Sequence, residues 1–506
     1  MDMSVNSAAP LVTEPRRRLV VFLFLMLAMF MATLDNQIVS TALPTIVGEF
    51  GALERFGWVG SAYLLATSAV MPVYGKLGDL FGRKYVMIFA VVLFTIGSLA
   101  CGLAWSMDSL IAARVLQGLG GGGIMVSIFS VNADLFAPRE RARYQSYSSL
   151  VIMASGSVGP ILGGTMSDLF GWRSIFLINL PIGIVVLLGL AFLLPYRRPD
   201  RQPKIDYIGA VLLAAAISSV VLWADSAELF GSLIAWQSLA IIAFAIVCAT
   251  LWVQVEKRAP EPIVPLRLFK DSTFPLLMII SIVSGGLGIG MVNYYALFLQ
   301  TTTGLSPSEA GLFFIAVTGG IVMGSLTAGR LISKTGSYKP FSIISLSIAV
   351  VAMLSLSQVH AGTPLAIIAA LLLLQGLGVG LGQQAPIIGV QNSAAKADIG
   401  AASGAVTLTR MGGAALAISI YGAVISSSLK GTGAEIQGVG NIQELTPKML
   451  AQLPAASQHA VADLYAAAFT PLFLVAAATA VIGLVAAVML KNVRLPISME
   501  QKVPQD

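Results

Sequence analysis

Fourteen apolar runs of 18 to 28 residues divide this chain, a pattern that no soluble fold accommodates. A helix needs about 20 apolar residues to cross a bilayer. Inside the hydrocarbon each backbone N–H and C=O must also find its partner within the chain. The runs lie at about 19–43, 57–77, 85–104, 109–133, 146–168, 174–194, 207–224, 236–254, 273–300, 310–332, 341–359, 364–391, 400–427 and 465–490. They predict an all-α membrane protein. Only 11% of residues are charged, against about 25% in soluble domains, so the bilayer is the solvent of this chain. The first run lacks a small-residue cleavage site and is too long for a signal-peptide core, so it is expected to remain as an anchor.

Charge sets the expected orientation. With both tails on the inner side, 24 of the 30 Lys and Arg fall in inner segments or, as Lys76 and Arg330 do, at the inner ends of runs. The outer loops hold Arg55, Arg173, Lys430 and Lys448, while Arg114 and Arg410 lie within spans. This is the positive-inside pattern, and it places tails 1–18 and 491–506 in the cytoplasm of a multi-pass protein of the cell inner membrane. The net charge of +6 does not point to nucleic acid, because the basic residues are spread over short connecting segments. Cys101 and Cys248 sit in apolar runs and imply no disulfide framework. His360 and His459 lie far apart in predicted outer loops, so no metal centre is expected. Nothing in the sequence calls for a cofactor or a catalytic constellation, and no P-loop is present for ATP-driven pumping.

The chain repeats itself. Gly75-Lys-Leu-Gly-Asp-Leu-Phe-Gly82 returns as Gly329-Arg-Leu-Ile-Ser-Lys-Thr-Gly336, and Leu116-Gln-Gly-Leu-Gly120 returns as Leu374-Gln-Gly-Leu-Gly378. The repeat predicts a six-helix bundle over 19–194, a second over 273–490, and a Pro-rich linker over 195–272 that carries two extra helices. Parallel halves of this kind place a substrate site near the midplane, at their interface. The long outer loop 428–464 contains an amphipathic piece, Thr446–Leu464, expected at the membrane surface or over the outer mouth.

Within the first run, Asp35 is 16 residues from its start, roughly 24 Å along a helix. A charge inside hydrocarbon costs at least ~2.5–3.5 kcal/mol on insertion scales, and such acids are functional by default. Arg114 lies five residues into the fourth run, which travels inward, so both residues are expected at one level, in contact directly or through Gln117 or water. The following glycines, Gly118 and Gly120–Gly123, permit close helix approach; no βαβ unit surrounds them, so they are no dinucleotide fingerprint. Attraction to a cation favours a carboxylate's ionised form and desolvation its protonated form. A conformational change that alters either one can therefore load or release a proton.

Gly75-Lys-Leu-Gly-Asp79-Leu-Phe-Gly82-Arg83-Lys84 combines turn glycines with an acid suited to a neighbouring helix N-terminus, and Arg83 is placed to reach Asp134. This motif resembles the signature loop of the major facilitator superfamily, and the chain is similar over nearly its whole length to that superfamily's fourteen-helix drug:proton antiporter branch. By resemblance, Gly75, Asp79, Gly82, Arg83, Lys84 and Asp134 form a latch that closes the cytoplasmic side. Ser155-Gly-Ser-Val-Gly159-Pro160-Ile-Leu-Gly163-Gly164 resembles the span-5 motif of antiporters, with Ser155 in the first glycine slot. Leu34-Asp35-Asn-Gln37 resembles the span-1 signature, with Gln37 where threonine is common. Ile289 occupies the repeat-equivalent position of Asp35. The second half offers instead Asn293, Tyr294, Tyr295, Gln375 and Arg410, which with Gln37, Tyr63 and Gln117 are expected to line a substrate cavity; Gln375 is the expected partner of Arg410.

The resemblance implies a proton-coupled exporter of amphiphilic or cationic small molecules, working by alternating access and served, if at all, by a periplasmic adaptor. A dedicated exporter of one endogenous metabolite is the alternative; a non-transporting membrane sensor fits the duplicated halves less well.

Overall fold

In the computed structural model, the described residues are 10–50, 56–197, 204–224, 226, 230, 232, 234–305, 307–431 and 455–497. Among them all regular structure is helical. The first helices are α1 (Pro15–Phe50), α2 (Phe56–Phe81), α3 (Arg83–Gly102), α4 (Met107–Leu135), α5 (Pro138–Ser146), α6 (Ser148–Phe170), α7 (Ser174–Leu177) and α8 (Asn179–Leu193). Next come α9 (Tyr207–Ala224) and α10 (Trp236–Glu256). The remainder are α11 (Thr273–Gly285), α12 (Met291–Thr302), α13 (Pro307–Thr335), α14 (Lys339–Leu356), α15 (Leu365–Gly382), α16 (Ala385–Ser393), α17 (Ile399–Gly431) and α18 (Ala455–Met489). Local sequence explains several starts. Ser106 and Ser109 exchange side-chain to backbone hydrogen bonds in a capping box at α4, and Pro138 opens α5, where its missing N–H costs nothing.

Twelve helical segments among the described residues are long and apolar enough to cross a membrane. The two expected runs outside that set fall on helices nonetheless. Run 57–77 is carried by α2, which has Gly60, Ser61, Thr67 and Ser68 among its apolar residues, and run 207–224 by α9, whose apolar stretch Tyr207–Trp223 is short. The last helix begins at Ala455 rather than 465, so it absorbs the end of the expected amphipathic piece. Residues 446–454 lie outside the described residues.

The run 273–300 is one span in sequence but not one regular helix. Between α11 and α12 the segment Gly286–Gly290 makes a π-turn. Its glycines explain why: added Cβ atoms at Gly286 and Gly290 would each lie 3.0 Å from Ala417 Cβ on α17, and one at Gly285 would collide with the Arg410 carbonyl. Only side-chain-free backbone lets the two helices approach this closely.

Buried apolar side chains fall into separate clusters. Two draw only on residues between Val12 and Leu194, and the third almost wholly on residues from Leu213 to Leu495. The sequence repeat reappears as backbone geometry. Gly82 and Gly336 both adopt positive φ, 90° and 71°. Each donates its N–H to the carbonyl four residues earlier, Gly78 and Ile332. That left-handed conformation strains any other residue.

The two chain ends meet one end of the bundle, where Leu11 N–H donates to the Asp134 carbonyl and Leu495 N–H to that of Gly336. The linker after α10 crosses the same end. Glu256 closes its turn by accepting from the Trp252 indole and from Val264 N–H. Glu261 then pairs with the buried Lys76 of α2 at 2.6 Å, and Arg267 with Asp398, just before α17, at 2.7 Å. The helix pair inserted between the repeats is thus tied to both of them.

Candidate functional site

Asp35 is 1% exposed, and its carboxylate is fully occupied. Arg114 Nη1 donates to Oδ2 at 2.6 Å, while Gln117 Nε2 and Asn179 Nδ2 donate to Oδ1 at 2.8 and 2.7 Å. The expected contact through Arg114 or Gln117 therefore exists by both routes at once, since Arg114 Nη1 also reaches Gln117 Oε1 at 2.7 Å. Arg114 further donates from Nε to the Val59 carbonyl and lies 4.2 Å from the centre of the Tyr63 ring, a cation–π contact. Such a pair, sealed from water and hydrogen-bonded on nearly every polar atom, holds together because removing either charge would strand the other.

Glycines place these groups. Added Cβ atoms at Gly118 and Gly121 would strike the Tyr63 backbone and hydroxyl, and one at Gly97 would strike the Gln117 backbone. With side chains there, α2, α3 and α4 could not approach closely enough for Arg114 to reach α1. Tyr63 and Gln117, expected along a substrate cavity, are here buried members of the Asp35 cluster. Asn179 was not anticipated. Its signal in the sequence is an amide standing alone among apolar residues in the sixth run, and Ser98 donates to the backbone beside it, at the Phe176 carbonyl.

The Gly75–Lys84 motif makes the contacts expected of its chemistry. Asp79 accepts from the N–H groups of Gly400 and Ala401, at 3.1 and 3.0 Å, in the first turn of α17. Arg83 pairs with Asp79 at 3.3 Å and with Asp134 at 2.9 Å, and also donates to the Ser130 carbonyl. Lys84 donates to the Ala191 carbonyl at the end of α8. Gly75 is pressed against Gly400, where a side chain has no room. Next to this lies a junction absent from the sequence reading. Buried Arg141 donates to Gln391 Oε1 at 3.2 Å and to the Ala133 carbonyl, and Gln391 donates to Ser403 Oγ and the Phe129 carbonyl. Residues some 250 apart in sequence meet here, which no local pattern announces.

The span-5 motif packs α6 on α1. Ser155 and Thr33 hydroxyls lie 2.7 Å apart, and an added Cβ at Gly159 would be 2.6 Å from Gln37 Cβ. Gln37 thus rests on Gly159. Gly163 is buried, Pro160 sits inside the helix and Gly164 has open space beside it.

In the second half the expected cavity residues separate. Tyr295 is buried in the core, and Tyr294 donates to the Ile418 carbonyl at 2.5 Å and stacks edge-on with Tyr421. Gln375 is buried and reaches the Leu287 carbonyl at 3.5 Å, not Arg410, so that expected pairing is absent. The Asn293 side chain lies outside the described residues. Arg410 is half-buried, and its guanidinium makes no hydrogen bond or ion pair with any described residue. Near the opposite end of the bundle, Glu49 accepts from the Trp172 indole and pairs with Arg173 at 2.8 Å. Those two contacts hold its carboxyl below the usual carboxylate range. Both cysteines are buried and free.

The sequence matches the Major Facilitator Superfamily over residues 25–418. A transporter of that type from Mycobacterium tuberculosis is 33% identical over 97% of this chain and 72% of its own length. Multidrug resistance protein 3 of Bacillus subtilis is 31% identical over 95% of this chain and 96% of its own. Efflux pump dotC of Dothistroma septosporum is 30% identical over 95% and 85%. Two solved structures share the fold at 16% identity. The proton:xylose symporter XylE has a TM-score of 0.58, covering 96% of this chain and 98% of that one; an outward-facing bacterial homologue of ferroportin has 0.60, covering 93% and 98%. With its all-helical architecture and twelve apolar spans, this chain is a multi-pass membrane transporter rather than an enzyme, and it belongs to the Major Facilitator Superfamily.

Proposed function

We propose that this protein exports amphiphilic or cationic small molecules across the cytoplasmic membrane in exchange for protons. Relatives at about 30% identity named as multidrug transporters and efflux pumps support export as the direction. The observation that carries proton coupling is the sealed cluster in which Arg114, Gln117 and Asn179 all donate to Asp35. A shift of helices within the first half that withdraws Arg114 or Asn179 would change the charge and hydrogen bonding around the acid, the conditions that decide whether a carboxyl holds a proton. Gln117 and Tyr63 serve this coupling cluster, not the substrate.

The proposed molecule has fourteen spans, six in each of two halves, 19–194 and 273–490, and two in the linker between them, with both tails in the cytoplasm. The Asp79–Gly400 and Arg83–Asp134 contacts then form the cytoplasmic latch, shut in this conformation, and Gly159, Pro160, Gly163 and Gly164 shape the contact of spans 1 and 5. Tyr294 in the second half borders the substrate path. Such a pump would contribute to antibiotic resistance.

Proteoliposomes test the reading. Asp35→Asn should abolish substrate-driven proton movement while the protein remains monodisperse and folded. Full proton-coupled efflux in Asp35→Asn would refute the role given to this cluster. Wild-type efflux that persists with a protonophore would refute proton drive.

A further inference from the structure

The charges at mid-depth are balanced in the first repeat and unbalanced in the second. Asp35 and Arg114 neutralise each other. Arg410 has no counterpart: its guanidinium pairs with no described residue and is half-buried instead of sealed. It is 11 residues past the start of α17 at Ile399, about 16 Å along the helix. An arginine guanidinium stays protonated. A lone charge at that depth facing lipid is costly, so such residues face a water-filled space or a partner.

Helical register shows which space this is. Ser403 lies seven residues before Arg410 and Tyr421 eleven after it, so the three share one face of α17. Ser403 accepts from Gln391, the residue that also bonds Arg141 and the Phe129 carbonyl and so closes the floor between the repeats. Tyr421, toward the other end, meets Tyr294 edge-on. Arg410 lies between them, about 10 Å above that floor, and faces the space between the repeats. A second feature marks the same level. The π-turn Gly286–Gly290 follows directly on Gly285, which abuts the Arg410 carbonyl. Interrupted helices of this kind are tolerated in membranes where they line a cavity or are buried in protein, and they recur at transporter binding sites.

We infer that Arg410 is an anion-recognition point of the substrate path, made for the carboxylate or sulfonate of an aromatic amphiphile. A guanidinium offers two parallel donors to such a group, and the Tyr294–Tyr421 pair lies further along the same face of α17, toward its other end. A cationic amphiphile gains nothing from this residue. The inference rests on the export reading and divides its substrates by charge.

Naphthoate and naphthylmethylammonium share a ring system and differ in charge, so they serve as probes. Purified wild-type protein in nanodiscs of zwitterionic lipid should bind naphthoate. Arg410→Gln should weaken that binding about tenfold or more and leave naphthylmethylammonium within about twofold, whereas Arg410→Lys should retain part of the naphthoate affinity. On wild-type protein, naphthalenesulfonate should compete with naphthoate and naphthamide should not, a comparison that needs no variant. Unchanged naphthoate affinity in Arg410→Gln, equal loss of both probes, or equal competition by naphthamide would overturn the inference. So would loss of naphthoate binding on adding phosphatidylglycerol, since a lipid headgroup would then be the occupant. Wild-type protein that binds and transports only the ammonium probe overturns the inference and leaves the export reading standing. Wild-type protein that transports neither probe counts against both.

Discussion

Asn179 donates to Asp35 Oδ1 at 2.7 Å from a helix 144 residues further along the chain, and the same amide nitrogen lies 2.9 Å from Ser98 Oγ. It is the third donor on a carboxylate already paired with Arg114. Asn179→Leu keeps the branching and heavy-atom count of the side chain and removes one hydrogen bond to a charged group, worth about 1.5–3 kcal/mol. We expect that variant to fold and to transport with a shifted pH–rate profile. A profile superimposable on wild type would separate Asn179 from proton handling.

Removing Arg114 should do more. Arg114→Ala strands a buried carboxylate, a change that typically costs ~3–5 kcal/mol. Thermal melting in detergent should fall clearly, and the pH dependence of any remaining transport should change. Asp35→Asn combined with Arg114→Gln should melt higher than Arg114→Ala alone, because neither charge is then left unpaired.

The Lys76–Glu261 pair joins α2 to the linker, and Lys76 is only 2% exposed. Lys76→Met should therefore slow transport, and Glu261→Gln should add little on top of it. A double-mutant cycle on transport rate measures this coupling, and strictly additive losses would show that the two residues act separately.

Gly82→Ala and Gly336→Ala both force a side chain into positive φ, at about 1–2 kcal/mol. The new Cβ would also lie 2.7 Å from the Tyr196 ring at Gly82 and 2.7 Å from the Arg139 guanidinium at Gly336. We expect Gly82→Ala to impair transport more than Gly336→Ala, because the first turn carries Asp79 and Arg83 whereas the second has Ser333 in the acid's place. Rates of substrate-driven proton movement compare the two.

Glu49 is held as a carboxylate by Trp172 and then Arg173. A depressed folded-state pKa adds stability above the ordinary value of 4.5, and that stability disappears as pH falls through the lowered one. Glu49→Gln should thus melt below wild type at pH near 7, and the two curves should converge near pH 3. A constant difference across that range would assign the effect to packing.

Local composition determined much of this protein. Runs of apolar residues fix helices because a backbone in hydrocarbon has no other means of satisfying itself. The repeat of Gly75–Gly82 at Gly329–Gly336 anticipated two turns that share the same φ sign and the same hydrogen bond. Depth along a helix sufficed to bring Asp35 and Arg114 to one level, since rise per residue is constant. Rotation about each helix axis was not legible in the same way. It is set by which glycines admit which neighbour, and so only tertiary packing turned Gln117 onto Asp35 and Tyr63 onto Arg114. For the same reason it alone joined Asn179 to Asp35 and Arg141 to Gln391, and left Arg410 without the partner expected in Gln375. A side chain's partner depends on the angle at which distant helices meet, and that angle is a property of the whole packing.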